Sequence, residues 1–558
     1  MSSEQPIGAD LVAETLATEG VTHVFGLPGT TIMELIDSLG SREDVRYLST
    51  RHEQVAGFMA DGFSRSGGAI GVCLASRGPG AANLAIAVQN AHDESIPLLA
   101  LIGQVPQAIS HRRSFEDMDV VGAFRPMCKW AVEITETGRI PELLQRAVRT
   151  AVSGRPGPVV VSLPLDVLQA PAHAKPGPSV RIHPPAPDPR GIAEAADLLA
   201  KAERPVIVAG GGGAAAPQAV LELAETAGAP VVSTWLRKNV VPNSHPAFLG
   251  SLGYGAHDVT DRIVREADVV VALGCRFSEF TTKRWTLVPP SARLVHADID
   301  PEELGRVYPP SVGLVSDAGA AAAALSAALG PLVAEVPDIA EARAVRRVNL
   351  RKEYDEASIP PPAESTMDCT VGSVALVGLV RHLMDREDVV LAQDVHTFGP
   401  WVQRYVRVDR PGSYFGSAGG AMAWGFPAAM GMALARPGKR LVTLSGDGSF
   451  WMVAQDFETC VREGIDVVTI IVNNYAYGNT RDRQRFAHEG RYNGVFLGNP
   501  DFAEYARLLG GRGIRVTSNA GLVPAIEEAL AGEGPCIIDV VQDRMEGLPS
   551  GLAPPRAR

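Results

Sequence analysis

An α/β fold built of parallel sheets covered on both faces is what this sequence predicts, on three observations. Short runs rich in Val and Ile recur along the chain, each bounded by glycine or polar residues. They are apolar throughout rather than alternating, as strands buried on both faces require. Longer segments with helical spacing separate them, and strands alternating with helices build parallel sheets.

The elements follow in order. VRYLST (45–50) and GPVVVSL (157–163) read as strands of a first block. RPVIVAG (204–210) and ADVVVALG (267–274) belong to a second, and RLVTLSG (440–446) and DVVTIIVNN (466–474) to a third. Residues 170–190 are dense in proline and read as a linker. Residues 331–366 read as another, running from PLVAEVPDIAEA through a charged, helix-like stretch to IPPPAES. A chain of 558 residues is too long for one ordinary core. The prediction is three doubly wound parallel-sheet domains over 1–175, 190–335 and 365–545. The closing GLPSGLAPPRAR reads as a flexible tail.

A net charge of −12 without a basic block argues against a nucleic-acid partner. The N-terminus lacks the basic and apolar segments of a secretory signal. The alanine-rich run 318–336 contains Pro331 and reads as a helix of a folded domain, not a membrane span. Cysteines 73, 128, 275, 369, 460 and 536 are scattered without a CxxC, which fits thiols in a reducing cytoplasm, the expected location.

The chemistry gathers at the third block. LVTLS (441–445) leads into Gly446-Asp447-Gly448, and DVVTIIV (466–472) leads into Asn473-Asn474. The intervening segment 449–463 has helical spacing, with Phe450, Val453, Phe457 and Cys460 on one side. In a right-handed βαβ unit both strands end at one edge, so Asp447 and Asn474 converge. A carboxylate, a carboxamide and phosphate oxygens form a hard oxygen shell for Mg²⁺ or Ca²⁺, and the turn amides suit an anion. Alone, a GDG is more simply a turn; both halves on one unit favour a metal-bridged diphosphate site.

GDG followed at this distance by NN resembles the signature of thiamine diphosphate-dependent enzymes. The resemblance implies that Asp447 and Asn474 hold Mg²⁺ by side chains, with the Ala476 carbonyl added, and that Gly448 and Ser449 meet the diphosphate. RHEQVAGF (51–58) is similar to the segment whose glutamate, here Glu53, exchanges a proton with the cofactor's pyrimidine ring and so activates it. VFGLPGTT (24–31), ASRGPGAANL (75–84) and SFEDMDVVGAFRPMCKWAV (114–132) resemble loops of the acetolactate synthase branch. In GSAGGAMAWGFPAAMG (416–431), Met422 matches the residue that bends the cofactor and Gly420 a backbone contact to it. QDVHTFGPW (393–401) makes His396 and Thr397 candidate phosphate contacts. Pro28, Asn83, Tyr477 and Gly478 complete the cofactor set. The domains are then pyrimidine-binding, middle Rossmann-like and diphosphate-binding. The family also implies a homodimer or homotetramer with active sites between subunits.

Three departures bear on the substrate. Arg77 stands where the family loop has a small residue, either holding an anionic substrate group, or pointing to solvent or pairing with an acid of its own domain. Phe115-Glu116-Asp117 replaces Phe-Gln-Glu, so Glu116 acts as a base or pairs with Arg77 or Arg113. The text after NN differs, making Tyr477, Asn479 and Arg481 candidates for altered specificity. The candidate catalytic residues are Glu53, Arg77, Phe115 and Glu116. The resemblance makes the glycine-rich middle block, with VIVAGGGGAAA (206–216) and GCRFSEFTT (274–282), a candidate FAD site, in a domain that related decarboxylases leave empty or fill with another nucleotide.

The expected activity is a thiamine diphosphate- and Mg²⁺-dependent carboligase acting on small molecules. It decarboxylates a 2-oxo acid, pyruvate in the first instance, and transfers the two-carbon unit to a ketone or aldehyde acceptor. A decarboxylase, an aldehyde lyase and a flavin-linked oxidase are the alternatives with the same cofactor. A non-catalytic family member is the rival outside enzymology, and the intact Glu53, Asp447 and Asn474 argue against it.

Overall fold

The computed structural model describes residues 5–362 and 369–552. The expected start of the third domain at 365 and the end of the tail, 553–558, lie outside the described residues. Three six-stranded sheets carry the fold. The first comprises β1 (His23–Gly26), β2 (Arg46–Ser49), β3 (Gly71–Ser76), β4 (Leu98–Gln104), β5 (Trp130–Glu133) and β6 (Pro158–Pro164). The second comprises β7 (Pro205–Ala209), β8 (Val231–Ser233), β9 (Phe248–Ser251), β10 (Val269–Leu273), β11 (Arg293–Asp298) and β12 (Val312–Val315). The third comprises β13 (Val389–Gln393), β14 (Tyr414–Gly416), β15 (Arg440–Gly446), β16 (Val467–Asn473), β17 (Arg512–Val516) and β18 (Cys536–Val541).

Neighbouring strands are parallel in all three sheets. The first and third share one order, β2-β1-β3-β4-β6-β5 and β14-β13-β15-β16-β18-β17. The second runs β12-β11-β10-β7-β8-β9, the dinucleotide-fold order. In such sheets the connections change direction at a switch point, leaving a crevice at the C-terminal strand ends. Those points lie between β1 and β3, between β7 and β10, and between β13 and β15.

Central strands such as β4, β6 and β16 are buried along their whole length, which explains their predominantly apolar, non-alternating sequence. The first and third domains share one core, with Phe58, Met59, Phe426, Met430 and Phe450 in a single buried cluster. The helices Glu53–Arg65 and Gly425–Ala435 cross so closely that a Cβ at Gly431 would stand 1.9 Å from the Met59 carbonyl oxygen. A polar knot joins all three domains. Arg65 pairs with Asp61 at 3.0 Å and Glu94 at 2.7 Å, Arg237 reaches Glu94 at 2.6 Å, and Trp424 Nε1 donates to Asp61 at 2.9 Å.

Two segments differ from the sequence reading. Most of 331–366 is helical: Pro331 sits inside the helix Ala318–Ala334, and Pro337–Ala357 forms another of 21 residues. The second packs on the middle domain because Arg343, buried, donates to the carbonyls of Leu199, Ala200, Ala202 and Ala227 at 2.7–3.0 Å. Those carbonyls lie where two helices end, and a guanidinium satisfies them. The helix expected over 449–463 is broken into Asp447–Phe450, a 3₁₀ turn Ala454–Asp456, and Phe457–Glu463. Asp456 precedes the last segment and ties it to the first domain: its Oδ1 accepts the Arg51 amide at 2.7 Å and the Thr459 hydroxyl at 2.9 Å. Phe450, Val453, Phe457 and Cys460 are nonetheless all buried, as their spacing requires. Among the described residues no single helix is long and apolar enough to cross a membrane. All six cysteines are free thiols, and only Cys369 is exposed.

Lys238 makes an unusual joint between the middle and third domains. It is buried, and its Nζ donates to the Gln403 carbonyl at 2.7 Å. Burial, aided by Arg381 and Arg407, pushes its ammonium down to about 7. Between that value and the ordinary lysine range the unfolded chain binds a proton the folded chain lacks, so stability rises with pH across that window. Lys238→Met should abolish this rise. Thermal midpoints taken at about pH 6.5, 8 and 9.5 should show the wild type gaining on the variant as pH increases; parallel curves would contradict it.

Candidate active site

β15 and β16 are hydrogen-bonded neighbours in a register that sets Gly446 opposite Val472. Asp447 and Asn473-Asn474 therefore leave the sheet side by side. Asp447 is buried; its Oδ1 accepts the Gly448 amide at 2.9 Å and its Oδ2 the Asn499 amide group at 2.7 Å. Burial pushes its carboxyl up to about 6, against the lowering effect of these donors. Asn499 also donates to Asn473 Oδ1 at 2.9 Å, and Asn473 Nδ2 donates to Asp539 at 2.9 Å. The first asparagine of the pair thus fixes the second strand end, and Asn474 remains at the mouth, with its Oδ1 accepting the Ala476 amide at 3.2 Å.

The chain reverses here through Tyr475, whose φ of 53° lies in the left-handed region. The Tyr477 amide donates to the Val495 carbonyl at 2.9 Å, and the Leu497 amide to the Tyr475 carbonyl at 2.8 Å. This strap delivers Asn499 to Asp447, a contact the sequence reading missed.

The cleft at this edge is lined by His396, Thr397, Met422, Gly446, Asp447, Gly448, Ser449, Asn474, Ala476, Tyr477 and Gly478, among others. It lies at the switch point between β13 and β15. A Cβ at Gly478 would stand 2.0 Å from Thr397 Oγ1, so only glycine lets these walls approach. His396 is buried with both ring nitrogens unpartnered, and burial lowers its pKa to about 3. It therefore faces the cleft as a neutral donor rather than a cation. Asp394, missed from sequence, anchors its loop: Oδ1 accepts the Val395 amide at 2.8 Å and Oδ2 the Ser445 hydroxyl at 3.0 Å. The Ala423 amide donates to Ser449 Oγ at 3.4 Å, which ties the Met422 loop to the GDGS turn. Gly420, at φ 78°, is outside the lining.

The residues singled out in the first domain sit at another sheet edge and do not line this cleft. Glu53 begins its helix, is 6% exposed, and accepts from Asn83 Nδ2 at 3.0 Å. Pro28 is exposed in the turn after β1. Arg77 follows β3 at φ 53°; its Nη1 lies 3.7 Å from Glu116 Oε2, and its guanidinium 5.7 Å from the ring centre of the exposed Phe115. Arg481 does not line the cleft. It is fully buried, donates to Asp482 Oδ1 at 2.7 Å and to the Glu546 carbonyl at 2.6 Å, and holds the C-terminal segment.

These residues fit a metal-bound diphosphate. The unpartnered His396 nitrogens suit phosphate oxygens. Among the described residues no three His, Cys, Asp or Glu side chains form a metal cluster of their own. Mg²⁺ at Asp447 and Asn474 would take its further oxygens from a main-chain carbonyl and the phosphates, as this ion commonly does.

Models of the thiamine pyrophosphate enzyme family (the same cofactor under its other name) match all three units. The N-terminal TPP binding domain matches residues 7–123, the central domain 192–325 and the C-terminal TPP binding domain 394–540. The chain is 34% identical to a probable acetolactate synthase large subunit of Methanocaldococcus jannaschii, over 99% of this chain and 94% of that protein. It is 32% identical to the acetolactate synthase isozyme 1 large subunit of Escherichia coli, over 99% and 96%. It is 33% identical to an acetolactate synthase of Mycobacterium bovis, over 96% and 88%. With its three parallel sheets and the Asp447–Asn474 cleft in the last of them, the chain belongs to the thiamine pyrophosphate enzyme family.

Proposed function

We propose that the protein is an acetolactate synthase-like carboligase that depends on thiamine diphosphate and Mg²⁺. It decarboxylates a 2-oxo acid, pyruvate in the first instance, and joins the two-carbon unit to a ketone or aldehyde acceptor. The observation that carries this reading is the cleft between β13, β15 and β16, where Asp447, Asn474 and the unpartnered His396 meet. Thiamine diphosphate, when bound, supplies the carbon nucleophile and the electron sink. Asp447, Asn474 and the Ala476 carbonyl would hold Mg²⁺; Gly448, Ser449, His396 and Thr397 would orient the diphosphate. Met422 would shape the pocket and Tyr477 and Gly478 would close it, while the backbone of Gly420, outside the lining, would contact the aminopyrimidine. Glu53, kept in place by Asn83, would serve as the acid–base group for the pyrimidine ring.

Glu53 and the cleft belong to different domains, and the cleft is lined by the third alone. That supports an assembly of at least two copies, with Pro28, Glu53 and Asn83 of one chain facing the cleft of the other. The exposed Phe115, Trp451 and Met452, at 75%, 46% and 45%, offer apolar surface for it. FAD binding by the middle domain is a further proposal. It is supported by the glycine turns after β7 and β10 at that sheet's switch point, and by the half-buried Arg276, close enough to Arg155 and Arg237 for their charges to be felt.

One assay tests these points together. Purified protein supplied with thiamine diphosphate, Mg²⁺ and pyruvate should release CO₂ and form acetolactate. It should sediment as a dimer or tetramer, and a flavin band would mark the middle domain as occupied. Acetaldehyde in place of acetolactate would make it a decarboxylase, and an active monomer would overturn the shared site.

A further inference from the structure

We infer that Arg77 recognises an anionic group of the substrate that survives decarboxylation: the carboxylate of the acceptor or a distal carboxylate of the donor. The inference rests on the carboligase reading and adds to it the charge class of the substrate. Arg77 follows β3, and the turn carrying Pro28 follows β1. It therefore stands at the switch point of the first sheet, where α/β folds bind ligands. One helical turn on, a Cβ at Gly80 would lie 3.1 Å from Glu53 Oε1, so the guanidinium and the candidate proton-exchanging carboxylate share one edge.

The donors of this guanidinium are unfilled. Its side chain is 16% exposed, and Nε is buried without a hydrogen-bond partner. The 3.7 Å separation from Glu116 is an ion pair too long for a hydrogen bond. A largely buried guanidinium whose Nε lacks an acceptor is unfavourable, and its natural complement is a planar anion taking two N–H groups at once. The backbone holds it there: the Gly78 amide donates to the Glu116 carbonyl at 3.0 Å, with Arg77 and Glu116 both left-handed. Glu116, 34% exposed, acts as a displaceable counterion that turns outward when a substrate anion arrives.

The carboxylate lost as CO₂ does not fit this role. Its charge disperses as the bond breaks, so a cation gripping it would stabilise the ground state more than the transition state. An anionic group that keeps its charge is bound throughout.

Two measurements test the assignment on the full protein loaded with thiamine diphosphate and Mg²⁺. The first compares kcat/KM for Arg77→Gln, Arg77→Lys and wild type with charged and neutral partners. For Arg77→Gln, the preference for pyruvate over acetaldehyde as acceptor should fall about 10- to 100-fold. Arg77→Lys, which keeps the charge without the fork, should recover part of it. If the group belongs to the donor, the fall appears instead with 2-oxoglutarate against pyruvate as donor and acetaldehyde as acceptor. The second is calorimetric titration with malonate, an unreactive dianion: Arg77→Gln should weaken its binding and Glu116→Gln should tighten it. Equal losses with charged and neutral substrates, or malonate affinity indifferent to Arg77, would overturn the assignment. A wild type that turns over no 2-oxo acid but binds malonate through Arg77 would sink the carboligase reading and leave the anion site standing.

Discussion

Glu53→Gln is expected to slow CO₂ release by about 10²- to 10⁴-fold, the span of a lost general acid–base group, while leaving the fold and cofactor binding intact. The geometry makes this substitution clean. Glu53 Oε2 accepts from Asn83 at 3.0 Å, and a glutamine oxygen can accept the same bond. Its Oε1 lies on the side of Gly80, where the helix offers no side chain to block it. Glutamine fills the same volume but cannot pass a proton to and fro. The variant should melt within a degree or two of the wild type and bind Mg²⁺ and thiamine diphosphate with similar affinity. Rate and stability measured on one preparation separate the two roles. An unchanged rate would remove Glu53 from the mechanism, and a collapsed melting temperature would make it a structural acid at a helix start.

How far the sequence discloses this molecule depends on how local the controlling interactions are. The sheets are legible because strands such as Pro158–Pro164 and Val467–Asn473 are buried along their whole length and are apolar but for a single small hydroxyl residue within each, Ser162 and Thr469, and the closing Asn473. The meeting of Asp447 with Asn474 is legible because parallel neighbours joined by a crossover must end at one edge. What escapes is long-range and polar. Asn499 lies in a loop with no periodicity, and only the pairing of Tyr477 with Val495 brings it to Asp447. The charged stretch 337–357 looks solvated, yet Arg343 is buried because four helix-end carbonyls need a donor. Arg481 looks like a pocket residue by position, but its guanidinium finds Asp482 and the C-terminal carbonyls first. Arg77 falls between these cases: two readings were open from sequence, and the structure gives it a pair with Glu116 that leaves its donors unfilled.

Asp447→Ala should give the largest loss of ligand affinity, together with an opposite effect on the free protein. The carboxylate is the one charged side chain in the proposed Mg²⁺ shell, so its removal should eliminate the shift in melting temperature that Mg²⁺ and thiamine diphosphate produce together. Asn499→Ala removes the donor that orients the carboxylate, together with its bond to Asn473, and should weaken Mg²⁺ by about 10- to 100-fold, as outer-shell losses do. The free protein should respond in the other direction. Burial raises the Asp447 carboxyl to about 6, above its unfolded value. A group raised in this way contributes stability below its unfolded pKa and loses it as pH climbs through the folded one. From about pH 4 to beyond about pH 6, the metal-free alanine variant should therefore gain on the metal-free wild type. A variant that lost affinity by misfolding would fall behind at every pH, whereas one that lost a metal ligand would melt higher without Mg²⁺ and fail to respond to it. For the same reason Mg²⁺ uptake by the wild type must displace a proton below about pH 6, and its affinity should weaken there with acidification. Burial disfavours the charged carboxylate more than its hydrogen bonds from Gly448 and Asn499 favour it, and the metal with its diphosphate would supply the missing countercharge.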